Sequence, residues 1–382
     1  MKVQNSERLH IGIFGQTNSG KSSLLNYMTG TDTAIVSNIA GTTTDPIRKA
    51  MEITDFGPVL FIDTAGVNDN TSLGEARIAK SRGVIDKCDI FIYCLSLDDD
   101  MKILAELKKK EKPIIYVASK QDLAIGDEIR EKYKALSPIS IDIRNKDDRL
   151  KIFDRIKANS KKDELTITKN LVKKGDLVLL VIPQDEAAPK GRLIKPQVMT
   201  IRELIDKKAT AICCDLESLE NTLKALNKAP DLVICDSQVF KETSDLLEEG
   251  TRLTSFSILF SAFKGDLAYF VESVKILDHP LKRILIAEAC THPPIDEDIG
   301  TVKIPKMLKK KYKDLEIEFA RGDDLIDYDR YDLIISCGAC MFNRATMLSK
   351  VEKAKEKSIA MTNYGITIAY LKGILDKVVL PD

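Results

Sequence analysis

The chain lacks a charge surplus of either sign, any long apolar run, and most of the histidine a protein of its size could carry. Its 382 residues hold 58 Lys and Arg against 58 Asp and Glu, a formal net charge of zero. A general nucleic-acid binder carries a basic surplus; here the basic run KMLKKKYK, 306–313, reads as a solvated helix face. No apolar run approaches the roughly 20 residues of a spanning helix. MKVQNSERLHIGIFG lacks the charged-then-apolar pattern of a secretory signal. These absences predict a cytoplasmic protein with no membrane and no nucleic-acid partner. Its eight cysteines are then buried thiols or metal ligands rather than disulfides. Of the three histidines, His10 lies in a strand and His279 precedes a proline, both structural positions, which leaves His292. No short repeat or low-complexity tract appears.

What is present divides into three α/β blocks, expected at 1–160, 166–267 and 268–382. In the first, apolar runs (LHIGIF, PVLFID, DIFIYCL, PIIYVAS) alternate with helical patterns such as KSSLLNYM and MKILAELKKK. That alternation predicts a mostly parallel sheet covered by helices, and NSKKDEL, 159–165, reads as a linker. The second block offers strands DLVLLVIP, TAICC, PDLVICD and SFSILF, and the third RILIAEA, LEIEFA, YDLIIS and SIAMT, so two smaller α/β domains are expected.

The strand LHIGIF runs into GQTNSGKSS, where Gly15-x-x-x-x-Gly20-Lys21-Ser22 is a P-loop in the strand–loop–helix setting it requires. Glycines let backbone N–H groups close around phosphate oxygens, and the helix N-terminus adds its positive dipole end. Ser19 and Ser23 flank the lysine and belong to the same cradle. Lys21 would reach the outer phosphates and Ser22 would bind Mg²⁺. AGTTTDP, 40–46, can cap Mg²⁺ and the γ-phosphate. FIDTAG, 61–66, places Asp63 for a Mg²⁺ water and the Gly66 N–H for the γ-phosphate. ASKQD, 118–122, follows a strand: Asp122 can accept two N–H bonds from guanine while the Lys120 stem packs on the base. Ser119 stands where this motif usually has Asn or Thr, and its shorter reach bears on nucleotide affinity. SPISID, 137–142, offers the Ser140 and Ile141 backbone as a last base contact. In this order and spacing the five elements define a G domain.

In the third block, RILIAEA ends at Cys290-Thr291-His292 and YDLIIS ends at Cys337-Gly338-Ala339-Cys340. In an open parallel sheet, ligands gather outside the carboxyl ends of strands. If the two strands are neighbours, C-x-H and C-x-x-C meet at one edge. The helix from about Asn343 could aim N–H groups at anionic sulfur. Three Cys with one His suits structural zinc, and three Cys alone suits a 4Fe–4S cluster with one open iron; spacing leaves both standing, beside the reading of inert cysteines that bind nothing. Cys88, Cys94, Cys213, Cys214 and Cys235 read as buried packing.

The G motifs resemble the tRNA-modification and ribosome-assembly branch of the translation-factor-like GTPases. GTTTD is close to that branch's GTTRD, which implies Thr43 as the Mg²⁺ ligand. Val67 follows DTAG where Ras-like proteins place a catalytic Gln. Asn18 stands where potassium-activated members use an asparagine to bind K⁺, a charge that can replace an arginine finger. Asp69 stands where tRNA-modification relatives carry an acid that helps place water.

Across nearly its whole length the chain resembles the FeFe-hydrogenase maturation GTPases, the HydF family. Beyond the G motifs the likeness rests on PQDEAAPKGRLIKPQ (183–197), LTSFSILFSAFKGDL (253–267), ACTHPPIDEDIG (289–300) and SCGACMFNR (336–344). The resemblance implies a homodimerising middle domain and a 4Fe–4S cluster on Cys290, Cys337 and Cys340. It implies a scaffold or carrier for the diiron precursor, working with two radical-SAM maturases and apo FeFe-hydrogenase, with GTP turnover regulating partner contacts. Many members have His immediately before C-x-x-C; here it is Ser336. The candidates left for the fourth ligand are Glu297 in the acidic run, His292, or water or a small molecule. The competing readings are an RNA-related GTPase with a structural metal, and a cluster-gated redox-sensing GTPase.

Overall fold

Continuous Ile, Val and Leu runs can be buried on both faces only if helices cover the sheet on either side. The computed structural model shows this arrangement and describes residues 4–30, 37–39, 46–64, 83–99, 101–119, 125–160, 166–183, 193–289, 298–322 and 324–382. The chain separates into two compact units, Met1–Asp163 and Glu164–Asp382.

The first unit contains β1 (Leu9–Phe14), α1 (Lys21–Thr29), β2 (Ser37–Ile39), β3 (Ile47–Ile53), β4 (Gly57–Asp63), β5 (Ile90–Cys94), α2 (Lys102–Lys108), β6 (Ile114–Ala118), α3 (Ile125–Lys132), β7 (Ile139–Ser140) and α4 (Asp148–Asn159). Among the described residues its seven strands lie in the order β2-β3-β4-β1-β5-β6-β7. The five from β4 to β7 are parallel, and β3 runs antiparallel to both β2 and β4. Ile11, Ile13, Val59, Phe61, Ile90 and Ile92 face α1 and α4 on one side. Phe14, Leu60, Phe91 and Tyr93 face α2 on the other. The central position of β1 puts its carboxyl end, and the loop that follows, at the middle of the sheet edge.

The second unit contains β8 (Leu177–Val181), α5 (Lys195–Asp206), β9 (Thr210–Cys214), α6 (Leu219–Ala225), β10 (Leu232–Cys235), α7 (Phe240–Leu246), β11 (Leu253–Ser255), α8 (Phe256–Lys264) and α9 (Leu267–Val274). It continues with β12 (Arg283–Glu288), α10 (Ile304–Lys311), β13 (Glu316–Arg321), β14 (Leu333–Ser336), α11 (Arg344–Glu356), β15 (Ala360–Asn363) and α12 (Tyr364–Leu371). It has two four-stranded sheets, β11-β10-β8-β9 and β13-β12-β14-β15, and every pairing in both is parallel.

The two sheets repeat one plan. In each, the first strand lies between the second and third, and the fourth lies outside the third. Asp231, before β10, donates its N–H to the Leu177 carbonyl (2.8 Å) and accepts the Leu177 N–H on its carboxylate (2.7 Å). Asp332, before β14, does the same with Arg283, at 2.9 Å each way. Ser255 ends β11 and caps α8 through Ile258 N–H (3.3 Å); Asn363 ends β15 and caps α12 through Ile366 N–H (2.9 Å). Thr254-Ser255-Phe256-Ser257-Ile258 matches Thr362-Asn363-Tyr364-Gly365-Ile366, and both helices close on Lys-Gly. The helices meet at matched positions: a Cβ on Gly365 would lie 2.6 Å from Ser257 Cβ. One hydrophobic core runs through both repeats, from Val233, Phe240 and Ile258 to Ile284, Ile334 and Ile366.

Two expectations are corrected. SFSILF is not a strand: only Leu253–Ser255 is extended, and Phe256–Lys264 is helical. Ser255 caps the turn, and a short apolar run does not by itself separate buried helix from buried strand. Cys213 is exposed and Cys214 half-buried, because β9 is a sheet edge; Cys88, Cys94 and Cys235 are buried as expected. Among the described residues no helix is long and apolar enough to cross a membrane.

Candidate functional site

The P-loop follows β1 directly. Gly20 stands at the N-cap of α1 with φ of 94°, and a Cβ there would meet Ser119 Oγ at 2.8 Å. Gly15 is buried at the exit of β1, Asn18 is exposed with φ of 61°, and Ser19 is fully buried. Lys21 is buried, and its Nζ donates to the Gln16 carbonyl at 2.6 Å, across the loop. Burial lowers its pKa, opposed by nearby Cys94 and Asp63. Ser22 and Ser23 are exposed on the first turn of α1, which carries no acidic residue to compete with an anion.

Asp63 closes β4 beside β1, and Ser22 Oγ donates to its Oδ2 at 2.6 Å. Burial raises the Asp63 carboxyl, against the Ser22 bond and the Lys21 charge. Its Oδ1 is buried and has no hydrogen-bond partner among the described residues. A buried carboxylate oxygen left unpaired costs free energy, and with Ser22 Oγ it forms the oxygen pair a hard cation such as Mg²⁺ takes.

The base-recognition strands are also adjacent. β6 ends at Ala118, whose carbonyl accepts the Ile141 N–H at 3.0 Å, and Ala118 pairs with Ser140. Ser119 Oγ donates to the Ser19 carbonyl at 2.9 Å. The serine at this position therefore braces the phosphate loop from beneath. Thr43, Gly66, Asp69, Lys120 and Asp122 lie outside the described residues.

In the second unit β12 and β14 are neighbours, with Ala287 opposite Ser336. This register brings Ala289 next to Cys337. Cys337 Sγ accepts the N–H of Ala289 (3.1 Å) and of Ala339 (3.4 Å). Burial pushes the thiol up to about 11, against the pull of these two amides, with Cys340 and Glu288 nearby adding to the rise. Amides aimed at a half-buried cysteine's sulfur suit a thiolate, and a coordinated metal deprotonates such a thiol outright. Cys340 is half-buried at the far end of the turn. Ala339 between them is buried with φ of 51°, a left-handed conformation costing about 1–2 kcal/mol for a residue with Cβ.

The surroundings sort the remaining candidates. Ser336 is buried and donates to the Thr362 carbonyl at 3.0 Å, so its hydroxyl belongs to the sheet. Asp298 acts as a cap, its Oδ1 accepting from Thr301 N–H (2.7 Å) and Oγ1 (2.9 Å). α11 begins at Arg344, and Asn343 caps it through Thr346 N–H at 3.2 Å. Cys290, His292 and Glu297 lie outside the described residues.

Sequence reasoning gave no sign of two lysines. Lys264, at the end of α8, is buried, and its Nζ donates to the carbonyls of Ala339 (2.8 Å), Cys340 (3.4 Å) and Phe342 (2.6 Å). Lys195, opening α5, donates to the Cys340 carbonyl at 3.2 Å. Both reach the C-x-x-C turn from the other repeat.

The first unit is by fold and P-loop a G domain, and a 50S ribosome-binding GTPase family model matches residues 10–120. Two further family models match the remainder: the Hydrogen maturase F dimerization domain over 167–265 and the Hydrogen maturase F tetramerization domain over 268–381. Together the last two span more than half of the chain, which belongs to the hydrogen maturase F family. The tRNA modification GTPase MnmE of Prochlorococcus marinus (strain MIT 9301) is 38% identical over 167 residues, 40% of this chain and 36% of the relative. GTPase Der of Mycoplasmopsis pulmonis is 36% identical over 129 residues, 31% of this chain and 29% of the relative. The chain thus spans about a third of the length of these curated relatives. Among solved structures, Era of Aquifex aeolicus bound to GDP·AlF4⁻ aligns at 20% identity and TM-score 0.32, over 54% of this chain and 92% of that one. The FeoB G domain of T. maritima aligns at 22% identity and TM-score 0.32, over 41% and 100%.

Proposed function

We propose that the chain is a GTP-hydrolysing carrier of the cytoplasm. Its second unit holds a 4Fe–4S cluster and, as cargo, the diiron precursor of a FeFe-hydrogenase active site. One observation carries this reading: Cys337 Sγ, beside Cys340, takes two amide N–H bonds at the carboxyl edge of β12 and β14. That edge lies inside the region matched by the hydrogen maturase F tetramerization model. The donor set suits a soft metal. Cys290, Cys337 and Cys340 would hold the cluster, with Glu297 as a weak, replaceable fourth ligand and His292 as its alternative. When bound, such a cluster supplies an iron at which ligands can exchange.

The first unit does the GTP work. Lys21 and the Gly15–Ser23 backbone bind phosphate, and Ser22, Thr43 and Asp63 hold Mg²⁺ directly or through water. The Gly66 N–H meets the γ-phosphate, Asp69 orients water, and Asn18 takes K⁺. Lys120, Asp122 and the Ser140–Ile141 backbone select guanine. Self-association as a homodimer through 167–265, and contacts with two radical-SAM maturases and apo-hydrogenase, complete the reading.

Protein purified anaerobically after co-expression with the two maturases should show cluster EPR and activate apo-hydrogenase. No hydrogen evolution from a properly loaded sample overturns the carrier role. The GTPase rate should rise when K⁺ replaces Na⁺, and equal rates remove Asn18 from potassium binding. Glu297→Ala should keep iron but alter the EPR spectrum. The likeness to a tRNA modification GTPase favours a second reading, an RNA-related GTPase with structural zinc. Zinc in place of iron after anaerobic purification would select it.

A further inference from the structure

We propose that Lys264 is the positioning residue of the C-x-x-C turn: through it, the first repeat of the second unit sets where Cys340 stands relative to Cys337. The proposal rests on the reading of these cysteines as metal ligands.

A buried ammonium has three donors and no acceptor, and it is stable only where acceptors converge on it. Among the described residues the acceptors are carbonyls of the turn itself, those of Ala339, Cys340 and Phe342. The lysine belongs to α8, which packs against α11 and α12 within the shared core. The turn is a segment that needs outside support: Ala339 is buried in the left-handed region, and the shortest way for it to relax is to rotate the peptide whose carbonyl Lys264 holds at 2.8 Å. Rotation there moves Cys340 while Cys337, fixed to the sheet by its N–H on the Ala287 carbonyl (3.0 Å), stays in place. Lys195 also donates to the Cys340 carbonyl, at 3.2 Å, and gives the weaker second grip.

The same geometry has an electrostatic consequence. Groups around a metal site orient its ligands and tune its potential. A positive charge set against the carbonyls of the turn favours the reduced, more negative state of whatever the thiolates hold. The second repeat has its own lysine at the matched place, Lys372, but that one is directed at the exposed Glu242 side chain (3.5 Å). Of the two Lys-Gly helix endings, that of Lys264 is therefore the one that grips the cysteine turn.

The test uses the full chain and two variants, Lys264→Met and Lys195→Met. In metal-free, reduced protein, iodoacetamide labelling followed by mass spectrometry reads Cys337 and Cys340 separately. Lys264→Met should change the ratio of the Cys340 rate to the Cys337 rate at least tenfold, and Lys195→Met should change it by a few-fold. After anaerobic loading with iron and sulfide, Lys264→Met should show a changed EPR spectrum and a midpoint potential shifted to more negative values. Equal labelling rates in all three proteins, or an unchanged spectrum and potential in a folded Lys264→Met, overturn the proposal. If Lys264→Met does not fold, Lys195→Met decides by the same two readouts. Wild-type protein that takes up no iron would remove the cluster reading, and the labelling arm would still decide the positioning role.

Discussion

The two four-stranded sheets of the second unit share strand order, matched aspartates before the third strand and matched caps after the fourth, yet only one ends in a cysteine turn. After β10 the chain reads Asp236-Ser237-Gln238-Val239; after β14 it reads Cys337-Gly338-Ala339-Cys340. In the first repeat these polar groups take protein partners: Gln197 Nε2 donates to Asp236 at 2.8 Å, and Lys303 Nζ to Gln238 at 2.8 Å. In the second, the sulfur of Cys337 receives amides, and lysines from the first repeat hold the turn's carbonyls. The carboxyl edge of a parallel sheet offers a place for ligands, but its residues decide whether the place becomes a site or a junction.

The largest test of that contrast is metal content. Cys337→Ser should abolish iron binding after anaerobic reconstitution, because it removes the proposed ligand at the carboxyl edge of β12 and β14. Cys235→Ala, at the matched end of β10, should leave iron per chain unchanged, since that thiol is buried in the core and burial pushes its pKa far up. Iron lost equally from both variants would erase the functional difference between the repeats.

The next test concerns the contact between the repeats. Gly365→Ser copies the residue found at the matched place, Ser257, into a gap where Cβ would sit 2.6 Å from Ser257 Cβ. Overpacking of this kind costs about 1–3 kcal/mol. Adding Ser257→Gly should return most of the loss in urea unfolding. Full additivity of the two changes would show that the helices do not meet there.

The caps should differ in weight as well. Ser255 Oγ makes one capping bond and accepts a long one from Ser237 Oγ (3.5 Å), whereas Asn363 caps Ile366 and also donates to the Ser257 carbonyl (3.0 Å) and to Ser261 Oγ across the interface. Ser255→Ala should cost about 1 kcal/mol, as an N-cap does. Asn363→Ala should cost about 2 kcal/mol, since it removes two further hydrogen bonds besides the cap. Equal losses would mean that the cross-repeat bonds contribute nothing.

Much of this was legible in sequence because it is written locally. The P-loop, DTAG and the alternation of strand and helix are contiguous signals. The spacing of Cys290 and Cys337 fits two strands of one sheet, and that β12 and β14 are neighbours is seen only in the structure. What stayed hidden is non-local. Lys264 meets its acceptors 75 or more residues away, and a lone lysine before Gly-Asp carries no local mark of burial. The repeat was hidden because matched places conserve shape and role while changing residue: Ser257 against Gly365, Cys235 against Ser336. SFSILF misled because apolar content does not encode periodicity over so few residues. Ser119 looked like a weakened base-recognition residue, and the hydrogen bond to Ser19 that makes it a brace of the phosphate loop is visible only in three dimensions.

The smallest effect separates the two helix endings. Lys264-Gly265 is followed by Asp266, whereas Lys372-Gly373 is followed by Ile374. Asp266 caps α9 through Tyr269 N–H (3.0 Å) and accepts from Lys355 Nζ (2.6 Å). Burial pushes its carboxyl up, but the Lys355 bond and the Tyr269 amide outweigh it and leave the pKa below 3.8. A carboxyl depressed on folding contributes stability that is fully present above its unfolded value and is lost as pH falls through the folded one. Asp266→Asn keeps a capping oxygen and removes only the ion pair, which is partly exposed, so it should cost about 0.5 kcal/mol near pH 7. That deficit should shrink as pH drops below 3.8 and vanish once the wild-type carboxyl is protonated, with urea midpoints of the two proteins converging. A deficit that stays constant down to acid pH would assign the effect to the cap rather than to the charge, and the two repeats would then differ at this ending in geometry alone.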